Sequence, residues 1–229
     1  MKYFFYICGK KMKSYGKISI LMMRLFQTCL PLLMMLCGCV PSHDCVVLTG
    51  NENFREGDIV LRCGLGMESR AVTESGESEY SHIGLLHYDS VCAQWMVIHA
   101  VPGEAKEDEL EYLKCEPLVD FYAPDRAKCG AWMRVDCPDS VAVAAVRYAW
   151  QKVLSGVTFD NNYLLTDTTQ LYCTELVWQA FLHQGLDLTE GRRHDVPLLF
   201  SKDGECIFPE DIEESSKILY VQQFKTKPQ

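Results

Sequence analysis

One cysteine and two histidines give this sequence its chemical interest. In Leu171-Tyr172-Cys173-Thr174-Glu175-Leu176-Val177 the cysteine stands at the start of an apolar helix: Leu176, Val177, Ala180 and Phe181 recur at helical spacing, and Gly185 supplies a stop. A thiol in a first helical turn faces unpaired N–H groups and the positive end of the macrodipole. Both favour thiolate, the nucleophilic form, so a lowered pKa is expected for Cys173. The same cysteine beside Leu and Val also reads as a small buried apolar residue. The histidines decide between the two.

The stretch Tyr80-Ser81-His82-Ile83-Gly84-Leu85-Leu86-His87-Tyr88 reads as a strand, with alternation placing Tyr80, His82, Gly84 and Leu86 on one face. Gly84 leaves open space beside His82, as a cleft requires. After the turn Asp89-Ser90-Val91-Cys92, Gln94-Trp95-Met96-Val97-Ile98-His99-Ala100 returns as a second strand. With Ser90 and Val91 at the hairpin tip, His82 falls opposite His99, roughly 5 Å apart between Cβ atoms, and the proximity survives a diagonal offset.

A thiol near its free pKa is mostly protonated at neutral pH. An adjacent imidazole raises its reactivity, and a third group must fix the tautomer of that imidazole. His82 and His99 on one hairpin supply base and orienter for Cys173. Tyr80 or Tyr172 reads either as a hydroxyl donor to substrate or as packing. Glu175 reads as a helix-start charge and Asp58 as a turn residue. A Cys/His/His zinc site is the weaker use of the same residues, and no metal or other cofactor is expected.

The elements around them follow in order. Gly57-Asp58-Ile59-Val60-Leu61-Arg62 predicts a turn and a short strand; residues 64–79 predict a loop with room for a helical turn; residues 103–128 are acidic and mixed. Ala131-Trp132-Met133-Arg134-Val135 predicts a third strand. Pro138-Asp139-Ser140 opens a helix to about Leu154, ended by Gly156. After the Cys173 helix come a loop to about Cys206, a short helix after Pro209-Glu210-Asp211, and a last strand Ile218-Leu219-Tyr220-Val221. No repeat and no second domain is evident; 48% hydrophobic and 23% charged residues over 229 positions suit one globular domain.

Residues 1–38 read as an export signal. Lys2, Lys10, Lys11, Lys13, Lys17 and Arg24 precede any acidic residue, the run Leu25–Leu36 is apolar but short for a bilayer span, and Leu36-Cys37-Gly38-Cys39 ends it. That ending resembles a bacterial lipobox, which implies cleavage before Cys39 and lipidation of its sulfur; an uncleaved anchor is the alternative. Translation from Met22 or Met23 would give a compact signal. The expected layout is therefore signal 1–38, tether 39–54 and catalytic domain 55–224, on a membrane-anchored lipoprotein of the cell envelope. Without residues 1–38, 16 Lys and Arg stand against 31 Asp and Glu, which argues against nucleic acid as a partner. Export permits disulfides among the remaining cysteines, but spacing does not say which form.

Taken together, Gly-Asp-Ile-Val-Leu-Arg, Tyr-Ser-His-Ile-Gly, Val-Ile-His-Ala and Tyr-Cys-Thr-Glu-Leu-Val resemble the YiiX/YaeF-like permuted papain-fold hydrolases of the NlpC superfamily. Phe159-Asp160 and Phe208-Pro209-Glu210-Asp211-Ile212 also fit, so the resemblance covers roughly residues 55–222. It implies an α+β core with a small antiparallel sheet against a nucleophile-bearing helix, circularly permuted so that His82 precedes Cys173. It assigns Cys173 as nucleophile, His82 as base and His99 as third polar residue, where permuted members often carry a carboxylate or amide. A histidine there is similar to the lecithin:retinol acyltransferase group. The implied activity is cleavage of amide bonds in cell-wall or other peptides through a thioester. A thiol acyltransferase or lipid esterase, or a ligand-binding lipoprotein without activity, remain open beside it.

Overall fold

The structure is a computed structural model describing residues 43–103, 110–166, 169–196 and 204–228. The signal segment and Cys39 lie outside the described residues. A strand β1 (Asp44–Val47) leads to β2 (Ile59–Cys63), a helix α1 (Met67–Ser75), the hairpin β3 (His82–Asp89) and β4 (Gln94–His99), then β5 (Lys114–Pro117) and a short helix α2 (Leu118–Phe121). Next come β6 (Cys129–Val135), α3 (Asp139–Leu154), β7 (Thr158–Phe159), β8 (Gln170–Leu171), α4 (Cys173–Leu182), β9 (His194–Asp195), β10 (Glu205–Cys206), α5 (Pro209–Glu213), β11 (Ile218–Gln223) and β12 (Lys225–Pro228).

The frame is a six-stranded sheet in the order β11-β6-β2-β3-β4-β5, antiparallel at every junction. Both faces are covered, which explains why β2 opens on the apolar run Ile59-Val60-Leu61 and has all five residues buried. On one face Ile59, Leu61, Ile83, Leu85 and Ile98 pack against Ala145 and Ala149 of α3 and Leu176, Val177, Ala180 and Phe181 of α4. On the other, Val60, Leu86, Val97 and Trp132 pack against Leu118, Phe121 and Tyr122. Burial of each large aliphatic side chain contributes about 1.5–3 kcal/mol, so the two layers fix the strands that carry the histidines.

Helix α4 forms where its apolar residues repeat, and seven of its ten residues are buried. Tyr172 precedes it in extended conformation, and Gly185, at φ 81°, turns the chain away after it. At the other end of the sheet, Asp58 holds β2 to β6: its carboxylate accepts from Arg134 Nε at 2.7 Å and NH2 at 2.6 Å, and from the Arg55 N–H at 2.7 Å. Asp58 is thus a strand-end residue, as its position suggests.

Four expectations need correction. Residues 64–79 hold the nine-residue helix α1 rather than a loop. The acidic stretch after 103 contains β5 and α2. The segment read as a tether is packed: β1 pairs with β12 from Asp44↔Pro228 to Val47↔Lys225, Cys45 is buried, and the Phe54 ring lies 5.2 Å from that of Trp132. Finally, the hairpin register differs by two. Asp89 pairs with Gln94 and Leu85 with Ile98, because the turn spans residues 90–93, with Ala93 at φ 52°, instead of closing on Ser90 and Val91. His82 and His99 are therefore diagonal rather than opposite. They keep one face because a slip of two residues preserves the alternation.

Candidate active site

His82 opens β3 and His99 closes β4, so both rings stand at the same end of the sheet. Gly84 comes opposite His99. A Cβ at Gly84 would lie 3.1 Å from His99 Cβ and 2.5 Å from Val97 Cγ1, so only glycine leaves His99 its place. Both rings pack on Phe121, at centroid distances of 5.6 and 5.2 Å. His99 is fully buried and His82 nearly so.

Their nitrogens form a chain. His82 Nε2 is 2.8 Å from His99 Nδ1, and His99 Nε2 is 3.1 Å from Glu116 Oε1. Glu116, from β5, is held by Lys114 Nζ at 3.1 Å and Arg126 NH1 at 2.9 Å. Burial alone would raise its carboxyl pKa, but the bond from His99 and the Lys114 charge hold it well below the usual carboxylate range. Glu116 is therefore an ionised acceptor. Burial pushes the His99 pKa down to about 4 against the pull of Glu116, with the Arg62 charge adding to the burial effect. His82 is lowered well below the ordinary histidine value by burial and then by Arg62. Both rings are neutral near neutral pH, and each then has one donor and one acceptor nitrogen. A carboxylate only accepts, so His99 donates from Nε2 and accepts at Nδ1. His82 in turn donates from Nε2, which leaves its Nδ1 unprotonated and able to accept a proton.

Cys173 is the first residue of α4 and is buried. It lines, together with His82, a cavity of about 510 Å³. Leu65, Met67 and Val72 form one apolar wall and Phe159, Ile207 and Phe208 another, while Arg62, Arg126 and Glu68 supply charge. The thiol has Thr174 Oγ1 at 3.7 Å and the Ile83 N–H within reach. Among the described contacts no hydrogen bond joins it to His82, although both line the cavity.

Its titration differs from expectation. Burial raises the Cys173 pKa above the usual thiol value, and the Thr174 hydroxyl, followed by the N–H groups of Ile83, Thr174 and Cys173, offsets this only in part. Position at a helix start thus loses to desolvation here. Tyr172 also lines the cavity, but its hydroxyl accepts the Ile207 N–H at 2.9 Å. Tyr80 packs in the main core and is not among the lining residues. Glu175, two residues after Cys173, is wholly buried and accepts from Gln179 Nε2 at 2.9 Å. Asp160 accepts from the Asn162 and Leu164 N–H groups, and Asp211 from the Phe208 N–H, so both shape loops around the cavity.

Two contributors escaped the sequence reading. Glu116 sits in a short charged stretch, Lys-Cys-Glu-Pro, with no apolar alternation to mark a strand. Arg62 ends a strand that the reading found; its register opposite His82 was the available signal. Arg62 NH1 donates to the Phe121 carbonyl at 2.8 Å, and its guanidinium lies 4.6 Å from the centre of the Phe121 ring.

No family model matches the chain, and no curated protein does. Among solved structures it is similar to one described as the metalloprotein yiiX from Escherichia coli O157:H7: 17% identity, TM-score 0.58, covering 76% of this chain and 97% of that one. The chain has a YiiX-like fold, mixed α+β with antiparallel sheets. That description calls yiiX a metalloprotein, and says so of that protein alone. Among the described residues no group of three or more His, Cys, Asp or Glu side chains could hold an ion. His82 Nε2 and both nitrogens of His99 are already engaged.

Proposed function

We propose that this protein is a thiol hydrolase of the permuted papain-like, NlpC type, which cleaves amide bonds in cell-wall or other peptides through Cys173, His82 and His99. The observation that carries the reading is the chain Glu116–His99–His82, which leaves Nδ1 as the acceptor nitrogen of His82, a residue that lines the same cavity as Cys173. The resting pair is neutral thiol and neutral imidazole. Substrate binding brings Nδ1 to the thiol, and the proton moves to it as sulfur attacks the acyl carbon. The Cys173 backbone N–H, at the open end of α4, donates to the developing oxyanion. His82 then protonates the leaving amine, and afterwards takes a proton from the water that hydrolyses the thioester.

The apolar walls of the cavity favour one further reading: the same residues acting as an acyltransferase or lipid esterase on a fatty acyl group. Incubation with cell-wall and lipid fractions, followed by mass spectrometry of Cys173, separates the two by the mass of the trapped acyl group. A dependence of turnover on an added acyl acceptor marks transfer. A Cys173 that carries no adduct from either fraction and resists iodoacetamide at alkaline pH would leave a binding protein and sink both. The site is expected to work at the cell envelope, on a chain lipidated at Cys39. Cys39→Ser should release the protein from membranes, and a variant still bound after cleavage elsewhere contradicts that placement.

A further inference from the structure

Cys63 and Cys129 end up face to face, although 66 residues separate them in sequence. They are direct partners where β2 runs antiparallel to β6, in the register Arg62↔Gly130, Cys63↔Cys129. Paired residues on such strands have Cα atoms about 4.5–5.5 Å apart, inside the span of about 4.4–6.8 Å that a disulfide bridges. Their thiols are within hydrogen-bonding reach of one another. No other described strand pair does this: Cys45 faces Lys227, Cys115 faces Ile98 and Cys206 faces His194.

We propose that Cys63 and Cys129 form a disulfide when the protein meets a small-molecule disulfide, and that this bond clasps the segment carrying His82, His99 and Glu116 at both ends. All three lie between residues 63 and 129, whereas Cys173 lies outside the loop so closed. The environment favours the chemistry. The hydrogen bond from Cys129, and after it the charge of Lys128, pull the Cys63 thiol down to about 6 against burial, while Cys129 is raised by the same partnership. The pair thus gives up its first proton readily and shares one thiolate.

Cys129 is half-buried and Cys63 buried, so the reagent meets Cys129. Cys129 hands the proton of their hydrogen bond to the Cys63 thiolate as its own sulfur attacks one sulfur of the reagent, forming a mixed disulfide and expelling one thiolate. That thiolate takes the remaining proton from Cys63. The Cys63 thiolate attacks the Cys129 sulfur, closing the protein disulfide and releasing a second small thiolate. Two protein thiols are oxidised, and one small disulfide is reduced to two thiols.

The test uses the whole protein prepared under reductant, transferred to oxidised glutathione, unfolded in N-ethylmaleimide and digested without reduction. Mass spectrometry should find the Cys63 and Cys129 peptides joined, two hydrogens lighter than their sum, and the link should vanish in dithiothreitol. Cys129→Ser should give no Cys63 cross-link to any other cysteine. Both thiols alkylated after glutathione, either one joined to a different cysteine, or glutathione retained on Cys129 with Cys63 free, would overturn the proposal. If Cys129→Ser does not fold, the wild-type peptide map decides alone.

Discussion

His82 Nε2 lies 2.8 Å from His99 Nδ1, and this contact, with Glu116 behind it, fixes which nitrogen of each ring carries the proton. Neither histidine could settle its tautomer alone. A carboxylate at the far end, unable to donate, settles both.

The two rings should respond differently to removal. His82→Ala is expected to abolish turnover, since it removes the group proposed to take the thiol proton. His99→Ala should keep activity about a hundredfold above it, the margin by which orienting groups differ from bases in a hydrolase triad. His99→Asn should retain more, because an amide oxygen can still accept the His82 N–H. Turnover at saturating substrate, with folding checked by circular dichroism, reads the order. A His99→Ala protein as inactive as His82→Ala reverses the assigned roles.

In the proposed mechanism Glu116 is a positioning residue, bonded to His99 and through it to His82. Glu116→Leu should lower kcat by about 10–100-fold, the range seen for outer partners that fix a histidine tautomer, and leave KM nearly unchanged. Nitrogen NMR of the two rings gives the structural readout. Loss of a single His99 tautomer is expected, and an unchanged spectrum would rule out the relay.

Acid should weaken the fold through the same rings. Folded His99 titrates near 4 and His82 well below 6.5, so the unfolded chain takes up their protons first as pH falls. The His99 share of stability is complete above pH 6.5 and is lost on the way to 4, at about 1.4 kcal/mol per pH unit, and His82 adds a loss of the same sign. Urea unfolding at pH 7, 6 and 5 measures the slope, which His99→Asn should reduce. The neutral resting pair has a kinetic counterpart: iodoacetamide labelling of Cys173 should climb with pH into the alkaline range, with no plateau at neutrality.

Asp58 and Arg134 test the frame rather than the site. Asp58→Ala leaves a nearly buried guanidinium unpaired and should cost about 3–5 kcal/mol. Replacing both, as Asp58→Ala with Arg134→Met, should recover much of that in denaturant unfolding. A double variant no better than the single one shows that the pair does not act as a unit.

Periodicity made some of this legible and concealed the rest for physical reasons. The α4 helix, α3 and the hairpin carry repeating apolar positions, and each formed close to the place its pattern marks. Register is set by turn length, which the sequence around Ser90 leaves open; the slip of two kept His82 and His99 together only because alternation has period two. β5 is a short edge strand of charged and polar residues, so Glu116 had no pattern to stand out from. The Cys173 pKa went the other way because burial is a property of the packed molecule, invisible to a rule based on helix position.

The pairing of β1 with β12 brings Asp44 directly across from Pro228. A linker of a few residues would close the domain into a ring. Reopened at the exposed Ser155-Gly156 turn beyond α3, that ring would read from cysteine to histidine instead of histidine to cysteine, with every described contact of the cavity retained. The order of Cys173 and His82 along the chain is thus a matter of where the ring is cut, and the cavity itself is indifferent to it.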